Sequence, residues 1–565
     1  MRKRSARFAA LALAACLCAL TLSGCGGSAG EHGEEHEPLT LLAVGLNYEP
    51  FKQLLAERYP EVNLELVSYT GSNGTGYCQY QLEHGKVPDI YSTGVFGMQE
   101  EQRAYLLDLS GYKFLNNYKT ADVNQVALDG AVYLVPASVS IIGIYYNKTM
   151  FAEHGWAVPA SLAELKALCR EIEAAGIAPV AAEFELPGNG FFDLFTLAKT
   201  DFLATPAGLR WEQEFKAGVA TAAEGLSGAA EVLQELIDCG FYTAEDTRRS
   251  RVETRERFFS GEAAMYVRAG MIQKFYQEED GAGDQYGIMP YFGAGEDSSV
   301  LISQPLRYYG LSRELGEPGN EQKLADALKV MELMATEEGQ RSLPMGVENY
   351  ITPLKNAAIP ESSPFHEVEE ILQNGHTSNL AYAGYEPIIV GVGEKVRDWV
   401  AGKCTGADVL SLMDQLQTEY LAAGKEPAVA VAARDFTLEE SAQLQAEALR
   451  QAAGTDVGMV SLGGYRDGIE NKSGVCGLIF EGDLNQGVVN AIVPGAYTDP
   501  VCILTLSGAD LRGMLETGLL VRDGEDPERA ASFPYVPAGL TLTKNEDGSV
   551  AAITLPTGAA LDEQT

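Results

Sequence analysis

The sequence predicts an α/β protein built as two parallel-rich lobes, with a separate smaller unit behind them. Three observations lead there. The chain has 565 residues, more than one hydrophobic core organises when compact units hold roughly 100–200. Short apolar runs alternate with helical patterns from residue 39 to about residue 430, the texture of parallel strands flanked by helices. After Gly424-Lys425-Glu426-Pro427 the texture restarts with an alanine-rich stretch.

The elements follow in order. Leu39 to Leu46 is almost continuously apolar, as a strand covered on both faces requires. A helix is expected over about Pro50 to Arg58. Val62, Leu64 and Leu66 then alternate with Glu61, Asn63 and Glu65, the period of a half-exposed strand. Ser161-Leu162-Ala163-Glu164 is a capping box that opens a helix carrying Leu165, Leu168, Cys169 and Ile172 on one face, and Gly176 can close it. Another helix is expected from about Glu321 to Arg341, with Leu324, Leu328 and Met331 on one face.

Composition narrows the function. Hydrophobic residues are 46% and charged residues 21%, ordinary for soluble globular protein. Acidic side chains outnumber basic ones 79 to 41 and the formal charge is −38, which excludes a phosphate-tracking role on nucleic acid. Six histidines (His32, His36, His84, His154, His366 and His376) are few for a two-metal hydrolase. No GxxxxGK[ST], HExxH or GxSxG motif occurs. Acidic pairs such as Glu100-Glu101 and Glu439-Glu440 read as solvated faces. Arg248, Arg249, Arg251, Arg255 and Arg257 form a basic cluster, either a charged helix face or a docking surface. The expectation is a protein with no catalytic group, no metal and no cofactor.

Arg2, Lys3, Arg4 and Arg7 precede a fifteen-residue apolar run, Phe8 to Leu22, too short for the ~20 residues of a spanning helix but right for a secretory signal. The run ends in Leu22-Ser23-Gly24-Cys25, which resembles the lipobox of bacterial lipoproteins. That resemblance implies cleavage after residue 24 and lipidation of Cys25, with residues 25–38 as an acidic tether. It places the chain outside the cytoplasm, anchored to the cell membrane. Cleavage would remove four basic residues and no acidic ones, taking the charge from −38 to −42, so the lipid rather than the protein surface would hold it there. With Cys16, Cys18 and Cys25 set aside, Cys78, Cys169, Cys239, Cys404, Cys476 and Cys502 remain, none in a CxxC pair. A Cys476–Cys502 bridge and separate buried thiols are both open.

Several segments between residues 39 and 430 resemble bacterial extracellular solute-binding proteins of the sugar-binding type. They are Gln81 to Ile90 (QLEHGKVPDI), Asp129 to Pro136 (DGAVYLVP), Gly143 to Phe151 (GIYYNKTMF), Phe258 to Met265 (FFSGEAAM), Tyr308 to Ser312 (YYGLS), and the helix ending Glu338-Gly339-Gln340. Each match is short, but they keep a shared order and spacing. The resemblance implies a two-lobed, type II periplasmic-binding-protein-like body over residues 39–430, with a hinge. Chain crossings are expected near Ile141 to Asn147 and Pro305 to Ser312. It further implies a small-molecule solute, carbohydrate first, and an ABC importer permease as membrane partner.

Ligands of open α/β sheets sit beyond the carboxyl ends of strands. The cleft candidates are therefore Asn47, Tyr48, Tyr91, Ser92, Thr93 and Tyr309 from the first lobe, and Phe191, Phe192, Asp193, Trp211 and Arg268 from the second. With 26 tyrosines in the chain, aromatic faces with polar edges suit sugar rings. For each aromatic, core packing is the competing role.

Residues 431–565 resemble the C-terminal domain of 5′-nucleotidases, a smaller α+β unit. The matching pieces are Ala446 to Arg450, Gly454 to Val457, Gly463 to Arg466, Glu481 to Leu484, Leu504 to Leu511 and Phe533 to Leu540. The resemblance places Gly463, Gly464 and Arg466 in a nucleotide-binding loop, with Phe533 as a base-stacking candidate. The pattern also departs from the family. Ser461 stands where the family has asparagine, and Pro494-Gly495-Ala496-Tyr497 replaces a Pro-Phe-Gly-Asn loop, leaving Tyr497 as the substitute ring. The metallophosphatase motifs are nowhere in the chain. A cell-surface 5′-nucleotidase-related protein that binds nucleosides or nucleotides is the alternative function.

Overall fold

The computed structural model describes residues 36–44, 47–69, 71, 74–94, 100–267, 285–295, 297–344, 351–355, 357–359, 365–373, 377–379, 384–424, 427–462, 464–466, 469–471, 477–492, 501–517, 519–520, 531–532, 535–545 and 550–561. The apolar run at 8–22 and Cys25 lie outside them.

The first lobe begins with β1 (Leu39–Val44), α1 (Glu49–Arg58), β2 (Leu64–Tyr69), α2 (Gly74–Glu83) and β3 (Ile90–Thr93). Strands β1 and β2 pair in parallel from Leu39↔Leu64 to Val44↔Tyr69, and β1 pairs with β3 through Leu41↔Ile90. The unbroken apolar run of β1 is explained by position: it lies between β2 and β3, with Leu39, Leu41 and Leu42 fully buried.

The chain leaves this lobe along β4 (Val135–Ile142) and enters the second as β5 (Ile144–Asn147). Gly143 is the joint between them. A Cβ there would stand 2.6 Å from the Met289 carbonyl oxygen and 2.8 Å from Leu301, so no larger residue fits.

The second lobe then builds α3 (Leu162–Ala174), β6 (Ala178–Ala182), α4 (Asn189–Asp201), α5 (Pro206–Lys216), α6 (Ala222–Asp238), α7 (Arg251–Phe259), β7 (Ala263–Val267) and β8 (Tyr286–Met289). Its sheet runs β8-β5-β7-β6, with β6 and β7 parallel. Ser161 caps α3 as expected, accepting from the Glu164 amide at 3.3 Å. The Glu164 carboxylate reaches one residue further back than a capping box requires, accepting from the Ala160 amide at 2.8 Å.

Strand β9 (Ser299–Leu311) brings the chain back. It pairs antiparallel with β4 from Ile302↔Ile142 to Tyr309↔Val135, and with β3 from Tyr308↔Thr93 to Leu311↔Ile90. β4 and β9 are thus two long neighbouring strands that connect the lobes; the first joint, at Gly143, falls where expected, while the return lies near Leu301 and Ile302, a few residues before the expected Pro305 to Ser312, which pairs inside the first-lobe sheet.

The helix expected over Glu321 to Arg341 is two. α8 (Glu321–Met334) stops, and Thr336 caps a second helix, Glu337–Ser342, by accepting from the Gly339 amide at 3.0 Å. The break has a local cause: Thr336 takes an extended N-cap conformation, and a Cβ on Gly339 would lie 1.8 Å from the Leu333 carbonyl oxygen. The chain then returns to the second lobe, where α9 (Glu386–Val400) and α10 (Gly406–Ala423) complete the core with α4 and α6.

The tail starts with β10 (Ala428–Ala432) and continues through α11 (Leu438–Ala453), β11 (Gly458–Ser461), β12 (Gly482–Asn485), α12 (Gln486–Ile492), α13 (Gly508–Thr517), β13 (Tyr535–Ala538), β14 (Thr541–Lys544) and β15 (Val550–Thr554). β10 pairs with β12, β11 with β13, and β14 with β15, each antiparallel. Ala442 and Ala446 of α11 pack on Val460, Val536 and Ala538 of the β11–β13 pair.

The tail does not stand apart. Phe480, Leu484, Ala491 and Ile492 share one apolar cluster with Tyr69, Tyr77, Tyr80 and Tyr91 of the first lobe. Across it the Tyr69 hydroxyl donates to the Ala491 carbonyl at 2.6 Å, and the Leu478 amide donates to the Tyr77 hydroxyl at 3.0 Å.

Candidate functional site

β4 leaves the first lobe, and β9 re-enters it, at the carboxyl ends of β1 and β3. Residues just past those strands therefore face the lobe junction. Tyr48, four residues beyond β1, and Tyr309 on β9 are both fully buried in the first-lobe core, with their hydroxyls 2.9 Å apart. Burial pushes both phenols up, Tyr309 well above the ordinary range, while the Arg307 guanidinium pulls the other way on each. Both stay protonated at neutral pH and can donate.

Ser92, buried at the end of β3, brings its hydroxyl to the Tyr48 phenol, whereas Thr93, also buried, faces the other side of the strand, toward the Cys78 thiol and the Tyr91 phenol. Asn47 is exposed at the rim and accepts from the Glu49 amide at 2.9 Å, which fixes the entry to α1.

Arg307 was not among the sequence candidates. It stands two residues before Tyr309 on β9 and so shares its side of the strand. Its Nε is buried with no hydrogen-bond partner among the described residues, and burying such a donor without compensation is costly. The signal was present: a lone arginine in the Leu301 to Leu311 stretch, inside a crossing already inferred.

Tyr91 points the other way. Alternation along β3 sends it into the cluster shared with the tail, where its hydroxyl donates to the Cys78 carbonyl at 2.9 Å.

In the second lobe the carboxyl end of β6 leads through Glu183 to the first turn of α4, which carries Phe191, Phe192 and Asp193. Phe192 is half-buried and Asp193 buried. Phe191 belongs to the core: it is fully buried and stacks on Phe195 with ring centres 4.1 Å apart. Trp211 is core as well. It stacks on Phe215 at 5.3 Å, its indole N–H donates to the Thr221 carbonyl at 2.8 Å, and a Cβ on Gly225 would lie 2.2 Å from the ring. Arg268 lies outside the described residues.

Glu183 is a second residue that sequence reasoning passed over. It is buried, takes a hydrogen bond from the Tyr266 hydroxyl at the end of β7, and has Arg251 Nε 3.7 Å away. The arginine cluster is largely committed inside the protein. Arg248 pairs with Glu245 at 2.8 Å, and Arg249 and Arg257 both approach buried Asp246, at 3.4 and 3.7 Å.

In the tail, Gly464 and Arg466 lie on a short strand, Gly464–Arg466, paired with Ile469–Asn471. Gly463, Tyr497 and Phe533 lie outside the described residues, as does Cys476, while Cys502 is exposed. Among the described residues no group of three His, Cys, Asp or Glu side chains is placed to hold a metal ion, and no helix is long and apolar enough to cross a membrane.

Residues 418–564 match the family model for the C-terminal domain of 5′-nucleotidase. A multiple sugar-binding protein of Streptococcus mutans serotype c is 35% identical over 150 residues, 25% of this chain. The match spans 34%, about a third, of that relative's length. A family 1 extracellular solute-binding protein of Bifidobacterium longum subsp. infantis superimposes with a TM-score of 0.55 at 16% identity, covering 68% of this chain and 99% of that one. The binding protein MsmE of Bacillus subtilis subsp. subtilis, in an open conformation, gives 0.58 at 14%, covering 69% and 99%. A Bacillus licheniformis sugar transporter in complex with stachyose gives 0.51 at 15%, covering 69% and 100%. These structures share the two-lobed fold. Residues 45–341, just over half of the sequence, match the model for bacterial extracellular solute-binding protein, and the chain belongs to that family.

Proposed function

We propose that the chain is the solute-receiving component of an ABC importer, that it takes a carbohydrate between its lobes, and that it binds this guest without converting it. The observation that carries the reading is the polar set at the carboxyl ends of the first lobe's strands. Tyr48 and Tyr309 carry paired hydroxyls and Arg307 an uncommitted Nε–H, with Arg307 and Tyr309 on the first-lobe stretch of β9 beside the carboxyl end of β3. Hydroxyls and a guanidinium with spare donors match the acceptor-rich rim of a sugar, and the aromatic edges match its C–H faces.

Closure would pivot on β4 and β9, bringing Phe192, Asp193 and Glu183 toward the first-lobe groups. The permease would then read the closed form. The sugar-binding relative and the stachyose complex support carbohydrate as the ligand class. Lipid on Cys25 would keep the receptor beside its permease, two or more acyl chains making the anchorage stable.

A thermal-shift panel of neutral oligosaccharides and nucleosides tests the reading. A ligand that binds only the folded state raises Tm through RT ln(1 + [L]/Kd). Stabilisation by an oligosaccharide that Arg307→Met diminishes at equal ligand concentration is the expected result. Stabilisation by nucleosides alone, unaffected by that change, would move the function to the tail.

A further inference from the structure

Helices α3 and α6 of the second lobe carry a thiol pair. Cys169 sits on α3, fully buried, and Cys239 closes α6, 9% exposed, with its backbone N–H on the Glu235 carbonyl at 3.1 Å. Both side chains belong to the second-lobe core cluster and each thiol is the main influence on the other's ionisation, while Cys239 Sγ also donates to the Leu236 carbonyl at 3.4 Å. One turn earlier on each helix, Lys166 Nζ and Glu235 Oε2 meet at 2.5 Å, so the helices are held in register by a second, independent contact. The other described cysteines lie in separate parts of the fold: Cys78 in the first lobe, Cys404 between α9 and α10, and Cys502 in the tail.

We propose that Cys169 and Cys239 are a disulfide-forming pair that clips α3 to the end of α6. The inference rests on the extracytoplasmic location that the family implies, where disulfides persist. The oxidant is a disulfide donor, R–S–S–R. The Cys239 thiol gives its proton to water, and its sulfur attacks one donor sulfur. This breaks the donor S–S bond and releases RS⁻, which is protonated to RSH. The Cys169 thiol then loses its proton and attacks Cys239 Sγ in the mixed disulfide, forming the new S–S bond and expelling the second RS⁻, protonated to RSH in turn. The two cysteines lose two electrons, which leave in two donor thiols. Cys239 is suited to start: its thiol is lowered chiefly by Cys169, whose own thiol is raised by Cys239 and by burial. It is also the less deeply buried of the two, 9% exposed against 0%.

The test is the folded, purified chain incubated with oxidised glutathione, then denatured and alkylated with iodoacetamide without reduction. The expected result is one cross-linked peptide pair, about 2 Da lighter than the two thiol peptides together, with Cys78 and Cys404 alkylated. Dithiothreitol should restore both labels and lower Tm by roughly 5–10 °C, and Cys169→Ala should convert Cys239 to a glutathione adduct or an alkylated thiol. Recovery of Cys169 and Cys239 as two alkylated or two separately glutathionylated residues in the wild-type chain would overturn the proposal. The readout needs no ligand, so a failure of the transport reading leaves it intact.

Discussion

The Tyr80 hydroxyl engages the backbone of Phe480 twice, accepting from its amide at 2.7 Å and donating to its carbonyl at 3.2 Å, while the two rings stack 5.0 Å apart. Four hundred residues separate them, and together they hold the tail on the first lobe. Burial raises the Tyr80 phenol, which keeps it a donor at neutral pH.

Tyr80→Phe should therefore loosen the tail without disturbing the ring stack. It leaves the buried Phe480 amide unpaired, at a cost of about 1–3 kcal/mol. Hydrogen exchange at residues 478–492 should accelerate accordingly, while exchange in α4 and α6 stays as it was. Unchanged protection at Phe480 would mean that the tail is not docked there in solution.

The joint between the lobes also carries backbone strain. Ser138, on β4 beside the Ala137↔Arg307 pair, has φ of +50°, a conformation that L residues rarely adopt. Gln340 accepts from its amide at 3.2 Å, and its hydroxyl donates to the Pro344 carbonyl at 3.4 Å. A β-branched side chain tolerates this region least, so Ser138→Val should destabilise by about 1–3 kcal/mol. Ser138→Gly should be close to neutral, because relief of strain offsets the added chain entropy. Urea melts of the two variants check the order, and equal stability of the valine and glycine variants would contradict it.

Asp122 gives a pH signature. Burial raises its carboxyl to about 6, with Lys119 pulling only partly against it. The folded state then holds this proton more tightly than the unfolded chain, whose aspartates titrate near 3.9. The contribution is fully present below about pH 4 and is lost as pH rises through about 6, a loss of roughly 2–3 kcal/mol. Asp122→Asn should match wild type near pH 4 and exceed it at pH 7. A stability difference that does not vary with pH would contradict this assignment.

The sequence showed the architecture more clearly than the site. Local patterns located β1 and α3, because buried strands and capped helices leave them, while the crossings came from the family resemblance. Periodicity did not show the break after Met334, where one threonine cap outweighs a continuous helical pattern. Among site candidates, position after a strand could not tell the two faces of β3 apart, and so it grouped Tyr91 and Thr93, which face the tail side, with Ser92, which faces Tyr48. Aromatic type was a poor guide. Phe191 and Trp211 stack in the second-lobe core, the competing role for each aromatic, and Arg307, an ion in a largely apolar strand, is a signal left unused. The docking of the tail depends on contacts such as Tyr80–Phe480, far too distant in sequence for any local pattern.

Arg307→Met should weaken carbohydrate binding by roughly 10- to 100-fold, the value of one or two hydrogen bonds from a charged donor. Arg307→Lys should recover part of it, since a compact ammonium replaces the charge but not the fork. Calorimetry on the three proteins gives the ratios, and an unaltered Kd in Arg307→Met would place the ligand elsewhere.

Small-angle scattering of the chain with and without a stabilising oligosaccharide tests the central claim most directly. The account predicts a radius of gyration that falls on adding the sugar and saturates at the Kd found by calorimetry, as two lobes close on β4 and β9. A radius that stays constant while the sugar is bound would contradict it.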